Sequence, residues 1–131
     1  MTVMHMKYNV INKNKDFLKA YKKGKCVAGR ICAVYFRKEH RNRMNGVPFT
    51  RVGISTGKKI GNAVARSRAR RVLRAALREC PLPAGYDVVI VARSGAVTCK
   101  SYNAASFIRG KVLPAMNAPV GDKGDDDASR T

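Results

Sequence analysis

The segment over residues 62–79 constrains the fold more than any other part of the chain. At 100° per residue its apolar side chains fall within an arc of about 140°. Asn62 is suited to cap the start of a helix here, and Pro81 and Pro83 end it. The segment therefore predicts an amphipathic helix with one face packed on another layer. That face consists of Ala65, Ala69, Val72, Leu73, Ala76 and Leu77.

The opposite face of this helix is cationic. Arg70, Arg74 and Arg78 are spaced four residues apart, Arg71 and Ser67 lie beside them, and Arg66 and Arg68 flank the stripe. No acid occurs over residues 40–78, although like charges at this spacing destabilise a helix by a few tenths of a kcal/mol each. Arginine binds phosphate bidentately, and Lys58 and Lys59 precede the helix N-terminus, which favours anions. We interpret the stripe as an anion-binding surface; the alternative is a basic face without a partner.

The other predicted elements surround this helix. Residues 86–92 form a nearly continuous apolar run, as in a buried strand, and residues 51–56 alternate as in a half-buried one. The order of elements predicts a single α+β domain, a sandwich of helices on a sheet. The remaining elements are a helix over 14–23 with Asn14 as its N-cap, a strand over 30–37, a basic loop over 38–50 with a turn near Asn45, and a helix over 101–113 that Pro114 ends.

The net charge narrows the class of partner. The 131 residues carry a formal charge of +19, and residues 1–121 alone hold 25 bases against four acids, or +21. We expect a protein this basic to bind a polyanion. Nucleic acid is the first candidate, and an anionic membrane surface is the second. A hydrophobic content of 45% is enough for a core, and no apolar run reaches the length of a membrane span. We expect a flexible lead-in over 1–9 and a disordered acidic tail over 118–131.

The sequence offers little for catalysis by protein side chains. The only acids before the tail, Asp16, Glu39, Glu79 and Asp87, lie far apart, whereas two-metal nuclease chemistry needs convergent carboxylates. His5 falls in the lead-in and His40 in the basic loop, so neither has a fixed partner. The four cysteines show no CxxC spacing, which disfavours a zinc site, and we expect them to be reduced.

A family resemblance centres on the basic helix. The run KKIGNAVARSRARRVLR at 58–74 resembles the signature of the bacterial ribonuclease P protein subunit, and Ser67 departs from it because that family has Asn there. NKDFLKAYKKGK at 14–25, RVGISTGKKIG at 51–61 and YDVVIVAR at 86–93 are similar to further parts of that family, in the same order. The resemblance covers roughly residues 10–114.

The resemblance implies a fold. The family has an α/β sandwich in the order αβββαβα, with a mostly antiparallel central sheet and a left-handed βαβ crossover. It is the fold of the second domain of a small-subunit ribosomal protein. The predicted elements follow this order if a short strand lies near residues 25–28, within a domain over 10–117. General rules favour right-handed crossovers, so they would have predicted the other hand.

The resemblance also implies a function. Ribonuclease P removes the 5′ leader from precursor tRNA, with catalysis in its RNA subunit and Mg²⁺ held mainly by RNA, not by a protein-only site. The chain would then be a cytoplasmic accessory subunit whose partners are the catalytic RNA and the leader, with no membrane or small-molecule substrate. The alternative is a small basic ribosomal or general RNA-binding protein without a processing role. The implied RNA-binding residues are Lys58, Lys59, Asn62, Arg66, Ser67, Arg68, Arg70, Arg71 and Arg74.

The implied leader-binding cleft is aromatic. Phe17 and Tyr21 lie four residues apart and face the same way on the first helix, and by the resemblance Tyr35 joins them from the sheet. Bases stack on such rings regardless of their identity, which suits a leader of variable sequence. The competing interpretation is that the three rings belong to the hydrophobic core.

Overall fold

The computed structural model describes residues 9–11 and 13–117. Within these ranges the chain forms one five-stranded sheet, one small hairpin and helices on both faces of the sheet. The strands are β1 (Asn9–Val10), β2 (Lys25–Ala28), β3 (Cys32–Lys38), β4 (Arg43–Met44), β5 (Val47–Pro48), β6 (Arg51–Ser55) and β7 (Tyr86–Ala92). The helices are α1 (Asn14–Lys23), α2 (Ala63–Arg78), α3 (Gly95–Thr98), α4 (Ser101–Phe107) and α5 (Leu113–Met116), with a 3₁₀ turn at Lys58–Ile60 and a π turn at Ile108–Val112.

The sheet has the order β1-β6-β7-β3-β2, with β7 at its centre. Strands β6 and β7 are parallel and are connected through α2, while β3 pairs antiparallel with both β7 and β2. The predicted single-domain α+β fold class and the conditional strand at 25–28 are confirmed, whereas the expectation of a mostly antiparallel sheet is corrected by the two parallel pairings. The short β1 pairs parallel with β6, so the complete sheet is mixed, with two parallel and two antiparallel pairings.

The main core lies between the sheet and the helices that follow it. Leu73 of α2, Ile90 of β7 and Ile108 after α4 are almost completely buried there. The predicted apolar arc of α2 packs into this core. Five of its six members are buried and Ala65 is half-buried. One face of the sheet is therefore sealed by α2 and α4.

The other face of the sheet is only partly covered. Helix α1 packs there over a small cluster made by Ile11, Ala20 and Val89, with Phe17 and Tyr35 at its margin. No other helix of the described chain joins this cluster. A half-open sheet face beside α1 results, and two of the three predicted cleft aromatics lie at its edge.

Several boundaries differ from the sequence prediction. Helix α1 begins at Asn14 itself, with Lys13 as an N-cap that provides no side-chain hydrogen bond. Strand β3 begins at Cys32, not at residue 30, because the Gly29 N–H donates to the Cys32 carbonyl and closes a turn before the strand. Asn9, placed in the predicted lead-in, forms β1 with Val10; the rest of that lead-in and the predicted acidic tail lie outside the described residues.

Two further predictions, a loop over 38–50 and a helix end at Pro114, differ from the structure. The loop over 38–50 contains the hairpin β4–β5, whose turn residues Asn45 and Gly46 have φ of 53° and 81°. Positive φ at both positions is what a tight two-residue hairpin requires. Pro114 was predicted to end the last helix and does not. It lies in α5 just after the π turn, where the Leu113 N–H donates to the Ile108 carbonyl five residues earlier, and the helix continues past it to Met116.

Candidate nucleic-acid interface

The N-terminus of α2 is built by the residues that the motif contains. The Asn62 Oδ1 accepts a hydrogen bond from the Ala65 N–H at 3.0 Å, which confirms the predicted N-cap. Gly61 has a φ of 138°, a conformation that L side chains rarely adopt, so this glycine is required by the backbone. Lys58 and Lys59 form the exposed 3₁₀ turn immediately before it. Two lysines and free backbone N–H groups thus meet at one helix end.

The outward face of α2 carries unpaired cations. Arg71, Arg74 and Arg78 are exposed, and in the described part of the chain none of them has a carboxylate partner. Arg66 is half-buried, and its Nη1 donates to the Gly61 carbonyl at 3.4 Å. Ser67 lies between these arginines on the wheel and is half-buried. Of the predicted stripe, Arg71, Arg74 and Arg78 therefore form the exposed cationic part, and binding of RNA to it stays a prediction.

Two arginines of the motif are held by protein atoms. The Arg70 Nη1 donates to the Thr56 Oγ1 at 2.5 Å, which ties α2 to the residue that follows β6. Arg68 lies on the other flank, where its Nε and Nη2 donate to the carbonyls of Val97 and Cys99. A contact of Arg68 with RNA remains a prediction, but the structure adds a bracing role between α2 and the end of α3. No sequence signal indicated that role.

The three predicted cleft aromatics lie close together on the half-open sheet face. The rings of Tyr21 and Tyr35 are 5.0 Å apart and meet edge to face. Phe17 lies over Gly53 of β6, so closely that a Cβ at Gly53 would be 2.7 Å from the Phe17 Cζ. Phe17 is half-buried, whereas 37% of Tyr21 is exposed. Of the predicted cleft aromatics, Phe17 therefore belongs partly to the core, whereas Tyr21 is accessible from solvent.

Two neighbours of Tyr35 were not assigned to the site from the sequence. Cys26 lies directly opposite Tyr35 in the β2–β3 pair, and Arg93 follows β7 on the same side. Burial, followed by the Cys26 thiol, raises the pKa of the Tyr35 hydroxyl, and the charge of Arg93 acts in the opposite direction. Tyr35 therefore stays neutral at physiological pH. A neutral ring beside an exposed arginine suits a stacked base with its phosphate.

Three of the four described acids form one ion-pair network away from α2. Asp87, whose side chain is 3% exposed, accepts from the Arg51 Nε at 2.9 Å and Nη2 at 2.7 Å. The Asn42 Nδ2 also donates to Asp87, at 2.7 Å, and Asp16 accepts from Arg51 at 3.3 Å. Glu39 accepts from Arg37 and Arg41 beside it. These three carboxylates pair with arginines at one end of the sheet, so they do not neutralise the arginines of α2.

Acidification is expected to weaken this network through Glu39. Hydrogen bonds from Arg41, and then from Arg37, hold the pKa of Glu39 well below its ordinary value of 4.5. A lowered folded-state pKa contributes stability above the unfolded value, and this contribution is lost as pH falls through the folded one. The free energy of unfolding of the wild type should therefore decline more steeply below pH 4.5 than that of Glu39→Gln, as measured by urea titration. Parallel pH profiles would contradict a role for this pair.

The described residues show neither a metal cluster nor a membrane span. Over 9–11 and 13–117, no three His, Cys, Asp or Glu side chains come together in a way that could hold a metal ion. Within the same ranges, no helix has the length and apolar character needed to cross a bilayer.

The comparisons with known proteins agree with one another. The model of the family described as Ribonuclease P matches residues 5–110. The ribonuclease P protein component of Alkaliphilus oremlandii is 38% identical over 91 residues, which cover 68% of this chain and 75% of that protein. The one from a Thermoanaerobacter species is 32% identical over 112 residues, or 84% and 91% of the two chains. The Staphylococcus aureus RNase P protein structure superposes with a TM-score of 0.66 at 30% identity, covering 83% of this chain and 96% of that one.

Proposed function

The chain belongs to the ribonuclease P protein family, and we propose that it is the accessory subunit that binds the catalytic RNA and the 5′ leader of precursor tRNA. In this proposal the RNA subunit performs the cleavage. The carboxylates Asp16, Glu39 and Asp87 each accept hydrogen bonds from arginines, so they are not free to act as a general base or as metal ligands. The protein contributes binding and positioning. It works in the cytoplasm, where bacterial precursor tRNA is made.

One observation carries the proposal: β6 connects the two surfaces. Its Gly53 lies under Phe17 in the aromatic cleft, and Thr56, the next residue after the strand, holds Arg70 of α2. Three residues of extended chain span about 10 Å, so the cleft and the Arg70 contact lie close together along one strand. A single strand of RNA could therefore occupy the cleft while the adjoining nucleotides lie against α2. This is the arrangement that a substrate with a leader on one side of the cleavage point needs.

We assign the catalytic RNA to the exposed stripe of α2 and its N-terminal turn. Lys58, Lys59, Asn62 and Ser67 extend the arginine face toward the helix N-terminus, where backbone N–H groups favour phosphate oxygens. The leader is assigned to the cleft, where Tyr21 and Tyr35 present rings for stacking. Both contacts are independent of base identity, as a common processing subunit requires.

The donor set does not fit a magnesium site made by protein alone. Mg²⁺ needs oxygen ligands in near-octahedral geometry, and three of the four described acids are engaged by arginines, while Glu79 has no second carboxylate beside it among the described residues. We therefore assign Mg²⁺ to phosphate groups of the RNA. No step of the proposal depends on a metal bound by this chain.

Reconstitution tests the proposal. The purified chain is mixed with ribonuclease P RNA from the same organism at low Mg²⁺, and cleavage of a precursor tRNA is followed. We expect cleavage to be faster than with the RNA alone. RNA binding without faster cleavage would favour a general RNA-binding protein, and cleavage by the protein without the RNA would favour a protein nuclease; either result contradicts the proposal.

Removing the accessible ring of the cleft should affect the leader selectively. Tyr21→Ala is expected to weaken binding of a precursor tRNA with a long leader by about 1–2 kcal/mol, the contribution of roughly one stacked base. A substrate with a one-nucleotide leader should bind the variant as it binds the wild type. Fluorescence titration of the reconstituted complex with both substrates measures the difference. If the variant binds both substrates more weakly by the same amount, Tyr21 has a purely structural role and the leader contact is contradicted.

A further inference from the structure

A basic hollow lies beside the aromatic cleft and takes no part in the contacts proposed above. It has a volume of about 290 Å³ and lies between the first turn of α1 and the segment that follows β3. Arg51 of β6 lines it, and Gly53 of the same strand lies under Phe17 in the cleft. Residues two apart on a strand share a face and are about 7 Å apart, so the hollow continues the cleft.

The walls of the hollow carry more positive than negative charge. Five cations line it together with two carboxylates, and each carboxylate is already paired with an arginine. Asp16 accepts from Arg51 at 3.3 Å, and Glu39 accepts from the Arg41 Nε at 3.0 Å. This pairing leaves a surplus of three positive charges, which favours an anion. The cations without a carboxylate partner among the described residues are Lys13, Lys15 and Lys19.

The start of α1 adds backbone donors at the same place. Lys13, the N-cap residue of this ten-residue helix, makes no side-chain hydrogen bond to the first turn. The N–H groups of Asn14 and Lys15 therefore have no acceptor among the described residues. Free N–H groups at a helix N-terminus, together with the helix dipole, favour phosphate oxygens.

A buried acceptor indicates that the ligand also brings a hydrogen-bond donor. Asn42 lines the hollow and is only 5% exposed. Its Nδ2 donates to the Tyr86 carbonyl at 3.2 Å and to Asp87 at 2.7 Å, so both amide protons are used and the Oδ1 has no donor among the described residues. Buried polar atoms without a partner are rare. RNA offers both groups that the hollow lacks, a phosphate for the lysines and a 2′-hydroxyl for this oxygen.

We propose that the hollow binds one ribonucleotide of the precursor-tRNA leader, beyond the nucleotides that stack in the cleft. Its phosphate contacts the lysines and the N-terminus of α1, and its 2′-hydroxyl donates to the Asn42 Oδ1. The inference rests on the proposed function, since the bound strand is the leader. The leader then follows β6 from Arg70, past the aromatic rings, to Arg51.

Precursor tRNAs with leaders of different length test the site. Lys15→Glu reverses a charge at the hollow, yet an acid in the first turn suits the helix dipole, so the variant should melt at the wild-type temperature or higher. In the reconstituted complex, it should bind a substrate with a long leader about 5–10-fold more weakly, and one with a one-nucleotide leader as the wild type does. Lys22→Glu makes the same charge change at an exposed position near the other end of α1. We expect this control to lose less than about twofold on both substrates.

The outcomes of this experiment separate the site from the proposed function. Equal losses for the two variants, or a loss by Lys15→Glu that is already complete with the one-nucleotide leader, would overturn the proposed site. If the wild-type complex binds the two substrates equally well, the leader contact is absent and the proposed function fails instead.

Nuclear magnetic resonance of the free full-length chain tests the site without ribonuclease P RNA. Uridine 5′-monophosphate should shift the amide signals of Asn14, Lys15 and the Asn42 side chain saturably in the wild type, and not in Lys15→Glu. 2′-Deoxyuridine 5′-monophosphate, which lacks only the 2′-hydroxyl, should bind more weakly. Equal affinities for the two nucleotides would overturn the proposal, as would shifts that grow linearly with concentration like a general salt effect.

Discussion

Replacing Arg66, Arg71 and Arg74 together with alanine is expected to weaken binding of ribonuclease P RNA about 150-fold at 0.15 M salt. Each lost phosphate contact removes about 0.9 from the slope of log binding constant against log salt, which is roughly fivefold in affinity at this salt concentration. For three contacts the slope should fall by about 2.7. Fluorescence anisotropy at salt concentrations from 50 to 300 mM measures both quantities on the same samples.

The stability of this triple variant separates binding from folding. The three side chains make no ion pair in the described chain, and alanine relieves like-charge repulsion on the helix, so the melting temperature should stay the same or rise. A control with Lys22, Lys23 and Arg43 replaced by alanine carries the same net charge, with the changes away from α2. Equal slopes for the two triple variants would contradict a phosphate-binding role for the stripe.

Replacing Arg51 with alanine is expected to cost about 3–5 kcal/mol of unfolding free energy. The change leaves Asp87 buried without the two hydrogen bonds that compensate its charge, and breaking a buried pair is costly for this reason. A loss of this size is a large part of the total stability of a small domain. Urea denaturation at pH 7 measures it directly.

The double variant Arg51→Met with Asp87→Leu identifies the cause. Removing both charges eliminates the uncompensated carboxylate, so more than half of the lost stability should return. Arg43→Ala is the control, because Arg43 is exposed and donates only to the Gly46 carbonyl; its effect should stay within about 0.5 kcal/mol. An Arg51→Ala variant that loses less than 1 kcal/mol would show that the network does not hold this end of the sheet.

The elements with strong periodicity were predictable from the sequence, and those defined by distant partners were not. Helix α2 and strand β7 were located to within a residue because their apolar patterns are long and their ends are marked by Asn62 and by prolines and glycines. The pairing of Arg51 with Asp87 joins residues 36 positions apart, and no local pattern encodes it. Even the short hairpin was visible only as its Asn45–Gly46 turn, because its strands are two residues long and exposed.

The candidate site was likewise predictable where it depends on one helix and not where it depends on contacts between elements. The cationic stripe follows from helical geometry alone, whereas the closeness of Tyr35 to Tyr21 depends on which face of the sheet α1 packs against. The bracing of Arg68 by the Val97 and Cys99 carbonyls could not be foreseen, because it depends on the path of α3, which has no strong sequence signature. The continuation of the last helix past Pro114 was not foreseen either, because a proline inside a helical pattern usually ends the helix.

The central position of β7 has a consequence for how the chain folds as it leaves the ribosome. β7 is the last strand of the described chain, yet it joins β6 on one side to β3 on the other. Until about residue 92 has emerged, the pairs β1–β6 and β2–β3 have no strand between them to join them. An isolated pair of strands is only marginally stable without a third strand or a packed helix. The sheet therefore closes late and through sequence-distant pairings, which makes slow, concerted folding the expectation for this domain.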